Sequence, residues 1–427
     1  MTRHILRLVS AAAMVASLHL AAGAASAATF KVCVRVTVQT TDSGLSVNGY
    51  SEDQYLGTEA PGGLTVIGRG FRVLMTQGGW EHAYDSATAD GCFSFSRTSN
   101  SGFGVRVYGF ATDGEGNHVR IHTGGLSTSS SYPGQTYSAY WGNQTLSATN
   151  YYVLDGAVSD RWTTVGVAAF GLYRWTNGVN DATVSIGFSE GDCGDSGSTH
   201  GDAENYIESS NSHLMRVGRC AGSGTETRQK MLVTHELGHA MARLRYGYDG
   251  NDSPLNDNYD PPGDKPAECV NVGGYDLTSL EWNSLAFKEG FADFYSARVW
   301  NDASSRGAYS RFGTPVDLEV WDADFGQNTP GGYAFNVCVS AADGVSTRQD
   351  YLRFFWDLHT AACASQPSQL DMLNLYRAVR ENDRTGAFVL TDSNYDDAIL
   401  YAADHMGGLT ACEIDSVSTY LSHNHGG

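Results

Sequence analysis

The apolar residues of this chain change their period partway along, and that change limits the folds open to it. In TFKVCVRVTVQT, residues 29–40, Phe30, Val32, Val34, Val36 and Val38 alternate with Lys31, Cys33, Arg35 and Thr37. A period of two belongs to a strand with one buried face. Similar runs follow in GFRVLMTQ, CFSFSR, FGVRVYGF and HVRIH, divided by turn-forming pieces such as TADG and TDGEGN. From about residue 349 the chain reads instead as helices: RQDYLRFFWDLHTAAC, SQLDMLNLYRAVREN, YDDAILYAADHM and ACEIDSVSTYLSH. At 427 residues the chain is long enough for two or three domains. The expected layout is multidomain: a β-sandwich over residues 28–122, a Gly-, Ser- and Thr-rich linker over 123–150, and an α+β domain over 151–427. That last domain becomes a mainly helical lobe from about residue 280. Within it DRWTTVGVAAFGLYRW (160–175) reads as a helix with Asp160 as N-cap, and 182–188 and 213–218 read as strands.

The first 27 residues have another character. Arg3 and Arg7 precede the apolar run AAAMVASLHLAAG, which ends in the small residues ASA. That order describes a secretory signal peptide cut after Ala27. The expectation is a secreted protein, extracellular or periplasmic, with no membrane insertion, since no later run approaches the roughly 20 apolar residues of a spanning helix. Eight cysteines, all beyond the signal and none in a CxxC pair, fit disulfides in an oxidising compartment. Neighbourhood pairs Cys33 with Cys92, Cys193 with Cys220, and Cys363 with Cys412. The net charge of −20 becomes about −22 once Arg3 and Arg7 are removed. Such a surface repels nucleic acid and anionic membranes, so no nucleic-acid partner is expected.

The chemistry is concentrated in VTHELGHA, residues 233–240. His235 and His239 stand four apart and so share one face of a helix, where both imidazoles reach a single ion. Glu236 is rotated by about 100° from His235 and can approach a water at the ion as a general base. Val233, Leu237, Ala240 and Leu244 form an apolar stripe on the opposite face. A catalytic zinc needs three protein ligands and a position for water. HELGHAMARLR has no third histidine where HExxHxxGxxH requires one, which argues against the metzincins.

Downstream, SLAFKEGFADFYSARV (284–299) carries Glu289 and Asp293 four apart, with Phe287, Phe291 and Phe294 between and beyond them. Here the chain resembles the gluzincins, zinc peptidases that include thermolysin-like and fungalysin-like enzymes. They carry HExxH on one helix, and on a later helix a glutamate ligand followed by an acid four residues on. The resemblance covers about residues 155–425 in layout, and its specific part is the two motif segments. It implies a zincin-like metallopeptidase domain with His235, His239 and Glu289 as zinc ligands. Asp293 would be the acid that orients an imidazole. An oxyanion donor is also implied, for which His359 in FFWDLHTA is the candidate and Tyr295, Tyr401 and His405 are rivals. The stretch of about 50 residues from His239 to Glu289 is longer than the family shows. It is rich in Asp, Asn, Gly and Pro and reads as an inserted loop. Asp249, Asp252, Asp257, Asp260 and Asp264 within it offer calcium ligands, although their spacing fits no EF-hand and a plain polar loop accounts for them. SATADGCFSF is similar to part of the transthyretin-like accessory domains of secreted enzymes.

The expected function is therefore a secreted zinc metallopeptidase acting on peptide or protein substrates, with Glu236 moving the proton. An extended substrate would pair with the strand at 182–188 or at 213–218 if either forms a sheet edge. The alternative is a secreted binding or adhesion protein on a zincin-like scaffold with weak or no turnover. A third reading makes the β-domain a propeptide, and cleavage of residues 28–122 on activation would show it.

Overall fold

The computed structural model describes residues 26–39, 46–47, 50–51, 64–86, 90–113, 116–125, 136–174, 183–190, 205–209, 212–219, 230–246, 277, 280–301, 308–311, 314–318, 345–360, 369–387, 391–407 and 409–424. Residues 1–25 of the expected signal peptide, the Asp-rich loop with its calcium question, and Cys193 with Cys220 lie outside these residues. Sheets occupy the N-terminal half and helices the C-terminal half, an α+β architecture.

The longest strand, β1 (Ala28–Val38), buries Phe30, Val32, Val34, Val36 and Val38, as its alternation predicts. It pairs with β2 (Leu64–Ile67) and β5 (Cys92–Arg97), both antiparallel, and with β9 (Thr149–Asp155) in parallel. Cys33 stands opposite Cys92 in the β1–β5 register, and the two form a disulfide. Cys412 is also disulfide-bonded, to a partner outside the described residues.

The second sheet contains β3 (Phe71–Gln77), β4 (Trp80–Asp85), β6 (Phe103–Thr112), β7 (His118–Gly125), β8 (Ser138–Gln144), β10 (Thr183–Glu190), β11 (Asn205–Ser209) and β12 (Ser212–Arg219). Its order is β11-β12-β10-β7-β6-β3-β4, with β8 also paired to β6. The two sheets face each other through aromatic rings: Phe30 meets Phe103 at 6.2 Å, Trp80 meets Phe95 at 6.0 Å, and Tyr84 stacks on Phe93 at 4.4 Å. Two sheets thus pack face to face, and their strands extend beyond residue 122. Strand β8 and the start of β9 lie inside the segment read as a linker, and β7 pairs directly with β10. One hydrogen-bonded sheet thus runs from the N-terminal strands into the part that carries the motif.

Helix α1 (Asp160–Arg174) joins the sheets to the helical core. At Gly166 a Cβ would stand 2.8 Å from Val36, so only glycine lets α1 sit this close to β1. At its other end Phe170 stacks on Trp300 at 4.9 Å. Beyond it come α2 (Lys230–Tyr246), α3 (Asn283–Trp300), α4 (Arg348–Thr360), α5 (Gln369–Thr385), α6 (Tyr395–His405) and α7 (Ala411–Asn424). Helix α3 is buried on nearly every side, packed between α2 and α4. Phe287, Phe291 and Phe294 bind it to Phe355 and Tyr376, with the rings of Phe287 and Tyr376 stacked at 5.2 Å. Among the described residues no helix is long and apolar enough to cross a membrane.

Candidate metal centre

Two close helix crossings build the site. On α2 the apolar stripe is buried at Val233, Leu237 and Ala240 (the Leu244 side chain is outside the described set). Within the motif itself, a Cβ on Gly238 would lie 2.9 Å from Tyr295 Cβ and 3.1 Å from the backbone of Ala292. Glycine here lets α2 and α3 nearly touch. Polar ties fix the sliding register of the two helices: Thr234 Oγ1 meets Ser296 Oγ at 2.7 Å, and Trp300 Nε1 donates to Thr234 Oγ1 at 3.0 Å. The face of α3 carrying Glu289 and Asp293 is thereby set against His235 and His239.

The three expected ligands converge. His235 Nε2 and His239 Nε2 are 3.1 Å apart, with their rings nearly perpendicular. Glu289 Oε2 lies 3.2 Å from the first nitrogen and Oε1 lies 3.3 Å from the second. Ligand atoms at the corners of a tetrahedron around zinc, roughly 2.0–2.1 Å from the metal, stand about 3.3–3.4 Å from one another. The spacing of the two nitrogens is near that edge, and each nitrogen has a different oxygen of the Glu289 carboxylate beside it. Burial is deep: His235 is 0% exposed, Glu236 and Glu289 5%, and His239 8%. The group can hold a metal ion.

The protonation pattern points the same way. His235 Nδ1 sits 2.6 Å from Asp293 Oδ1, close but off the ideal N–H axis. A bare ring nitrogen and a carboxylate oxygen would repel at that distance, so Nδ1 carries a proton. Nε2 faces Glu289 Oε2. Burial drives the His239 imidazole down to about 4, against the pull of Glu289. Burial alone would raise the Glu289 carboxyl, but His239 and Arg348 outweigh it and hold it well below the usual range. Two imidazole nitrogens turned toward one carboxylate make a donor set that suits a cation. Glu236 Oε1 stands 3.9 Å from His235 Nε2, beside the triad and outside it.

Asp293 occupies the orienting position and has further partners that the sequence reading missed. Tyr309 donates its hydroxyl to Oδ1 at 2.6 Å. The Arg348 guanidinium donates to Oδ2 from Nε at 3.1 Å and from Nη2 at 2.8 Å. Tyr309 is on the strand β14 (Ala308–Arg311) and Arg348 opens α4, 55 residues beyond Asp293. Thr347 and Asp350, which flank Arg348 as a capping box, mark the start of α4 in the sequence but not the partner of its first residue.

The oxyanion candidates fare differently. His359 lies eleven residues past Arg348, about 16 Å farther along α4, packed edge-on against Phe294 and Trp356. That is the setting of a core aromatic ring. Tyr295 is buried and donates to the Gly171 carbonyl at 3.3 Å, with burial pushing its phenol far up. Tyr401 and His405 stack on each other on α6. The two proposed edge strands are also interior: β10 lies between β7 and β12, and β12 between β10 and β11. The terminal strand beside α2 is β11. No family model and no curated protein matches this chain, so the geometry of the site carries its functional reading.

Proposed function

We propose that this protein is a zinc-dependent peptidase of the gluzincin type, exported and acting on extended peptide segments. The observation that carries the proposal is the meeting of His235, His239 and Glu289 from two helices, with their nitrogen and carboxylate oxygen atoms 3.1–3.3 Å apart and Glu236 alongside. His235, His239 and Glu289 would hold the ion, two nitrogens and one oxygen being a donor set that suits zinc. The chemistry a bound zinc supplies is acidification of a water and polarisation of a carbonyl. Glu236, outside the ligand set and buried beside it, would take a proton from that water and return it to the departing amine. Asp293 keeps the His235 proton on Nδ1, so that Nε2 stays a donor toward the ion. The terminal strand β11, next to α2, offers backbone groups with which an extended substrate can pair.

Glu236→Gln separates the roles. The variant is expected to retain stoichiometric metal and to lose at least 10²-fold in cleavage of a generic protein substrate, the lower range for a general base. Undiminished, chelator-sensitive cleavage by this variant would end the assignment.

A further inference from the structure

We propose that Arg348 is a positioning residue of the metal centre, tying the third ligand to the acid that orients the first and setting the pocket's charge to that of a divalent ion. The inference rests on the metal reading above and extends it to a residue outside both motifs. Arg348 is fully buried, and its guanidinium contacts both acids of α3. Nε and Nη2 grip Asp293, while Nη2 also lies 3.4 Å from Glu289 Oε2. Glu289 Oε2 is the same oxygen that faces His235. One planar group therefore determines where the ligand carboxylate sits relative to the carboxylate behind His235.

Local structure delivers this guanidinium with little freedom. Strands β13 (Leu280–Trp282) and β16 (Val345–Thr347) pair just before α3 and α4 begin, so the two helices start side by side. Thr347 N donates to Asp350 Oδ2 at 2.7 Å and Asp350 N donates to Thr347 Oγ1 at 3.2 Å, which fixes the first turn of α4 around Arg348. On α3, a Cβ at Gly290 would stand 2.8 Å from the Arg348 carbonyl oxygen and 2.5 Å from Tyr351 Cβ. The glycine next to the ligand glutamate lets the helix bearing Arg348 come this near.

Charge supplies the reason for an arginine here. Glu236, Glu289 and Asp293 are three buried acids within one small volume. Uncompensated buried carboxylates are costly. With Arg348 in contact with two of them, two negative charges remain, and a divalent cation cancels them. Lysine could supply the charge but not the fork that spans Asp293 and Glu289 together.

The test compares wild type, Arg348→Met and Arg348→Lys in the full chain. Folding is followed by circular dichroism, Zn²⁺ affinity by chelator competition, and the ligand field by the visible spectrum of the Co²⁺-substituted protein. Wild type is measured first: failure to bind one Zn²⁺ would sink the metal reading itself, before Arg348 is at issue. Given binding, Arg348→Met is expected to lower Zn²⁺ affinity by about 10–100-fold and to shift the Co²⁺ bands, the usual scale for a residue behind a ligand. Arg348→Lys is expected to recover only part of both. A folded Arg348→Met protein with wild-type affinity and an unchanged Co²⁺ spectrum would overturn the proposal. Should Arg348→Met not fold, Arg348→Lys decides: a loss of about tenfold supports the role, and wild-type affinity with an unshifted spectrum refutes it.

Discussion

The sandwich and the helical core are built on opposite principles, although one sheet connects them. Between the sheets lie Phe30, Val32, Val73, Met75, Phe93, Phe95, Phe103 and Val105, with a disulfide at the β1–β5 pair. Contacts of that kind are numerous, weak one by one and additive, so no single pair decides whether the sandwich forms. The interior of α2, α3 and α4 also holds aromatic rings, but among them are buried His235, Glu236, His239, Glu289, Asp293, Arg348, Asp350 and Arg353. Such groups are tolerated only while each keeps its partner. The sandwich is therefore expected to degrade gradually under substitution, whereas the core fails at single residues. The contrast bears on the proposed function as well: the helical core accepts the cost of buried charge around the group that could hold a metal ion.

The sharpest way to break this comparison is Asp293→Ala. It removes the acceptor shared by His235, Tyr309 and Arg348 and strips a buried guanidinium of its bidentate carboxylate partner. A loss of about 3–5 kcal/mol in urea unfolding is expected, the range for deleting one partner of a buried pair. Metal affinity should fall with it. Wild-type stability would show that these charges are not interdependent. Next in size is Cys33→Ala with Cys92→Ala. The bridge closes a loop between residues 59 apart, and losing it is expected to cost about 2–4 kcal/mol. Because β7 pairs with β10, both variants should lower a single calorimetric transition. If the cysteine variant instead resolves into two transitions, the sandwich folds as a separate unit despite the shared sheet.

How far these features were legible in the sequence depended on whether the signal was local. Alternation in 29–40 announced β1, and the helical periods of 348–363 and 395–406 announced α4 and α6, because one buried face fixes the period. Strand β8 gave no such signal. Its residues Ser138–Gln144 are exposed or half-buried on both faces, so the alternation that marks a strand never developed, and the segment passed for a linker. The metal triad was readable because each half is a four-residue spacing on one helix. Arg348 was not, since its role depends on α4 starting beside α3, which is a property of the β13–β16 ladder and of Gly290 rather than of any spacing. His359 is the converse case: no spacing ties it to either motif, and its ring packs against Phe294 and Trp356.

The smallest expected effect, and the one that most sharpens the comparison, is acid sensitivity in the metal-stripped protein. His239 titrates near 4 when folded, because burial disfavours its charged form, and near 6.5 when unfolded. Above pH 6.5 the imidazole is neutral in both states and contributes no pH dependence. As the pH falls from 6.5 toward 4 the unfolded chain gains a proton that the folded one refuses, so stability declines, by up to about 3 kcal/mol across the window. Below about 4 this group adds nothing further. Glu289 acts lower down. Its folded carboxyl lies well below 4.5, so its contribution is present above that value and is lost as the pH falls beneath it. Urea unfolding at a series of pH values, for wild type and His239→Gln, separates the two. The variant should flatten the profile between pH 4 and 6.5 and leave the more acidic limb in place. Equal slopes in that interval would mean that His239 is not held neutral by the fold. The helical core would then lack the prepared, proton-refusing imidazole that distinguishes it from the sandwich.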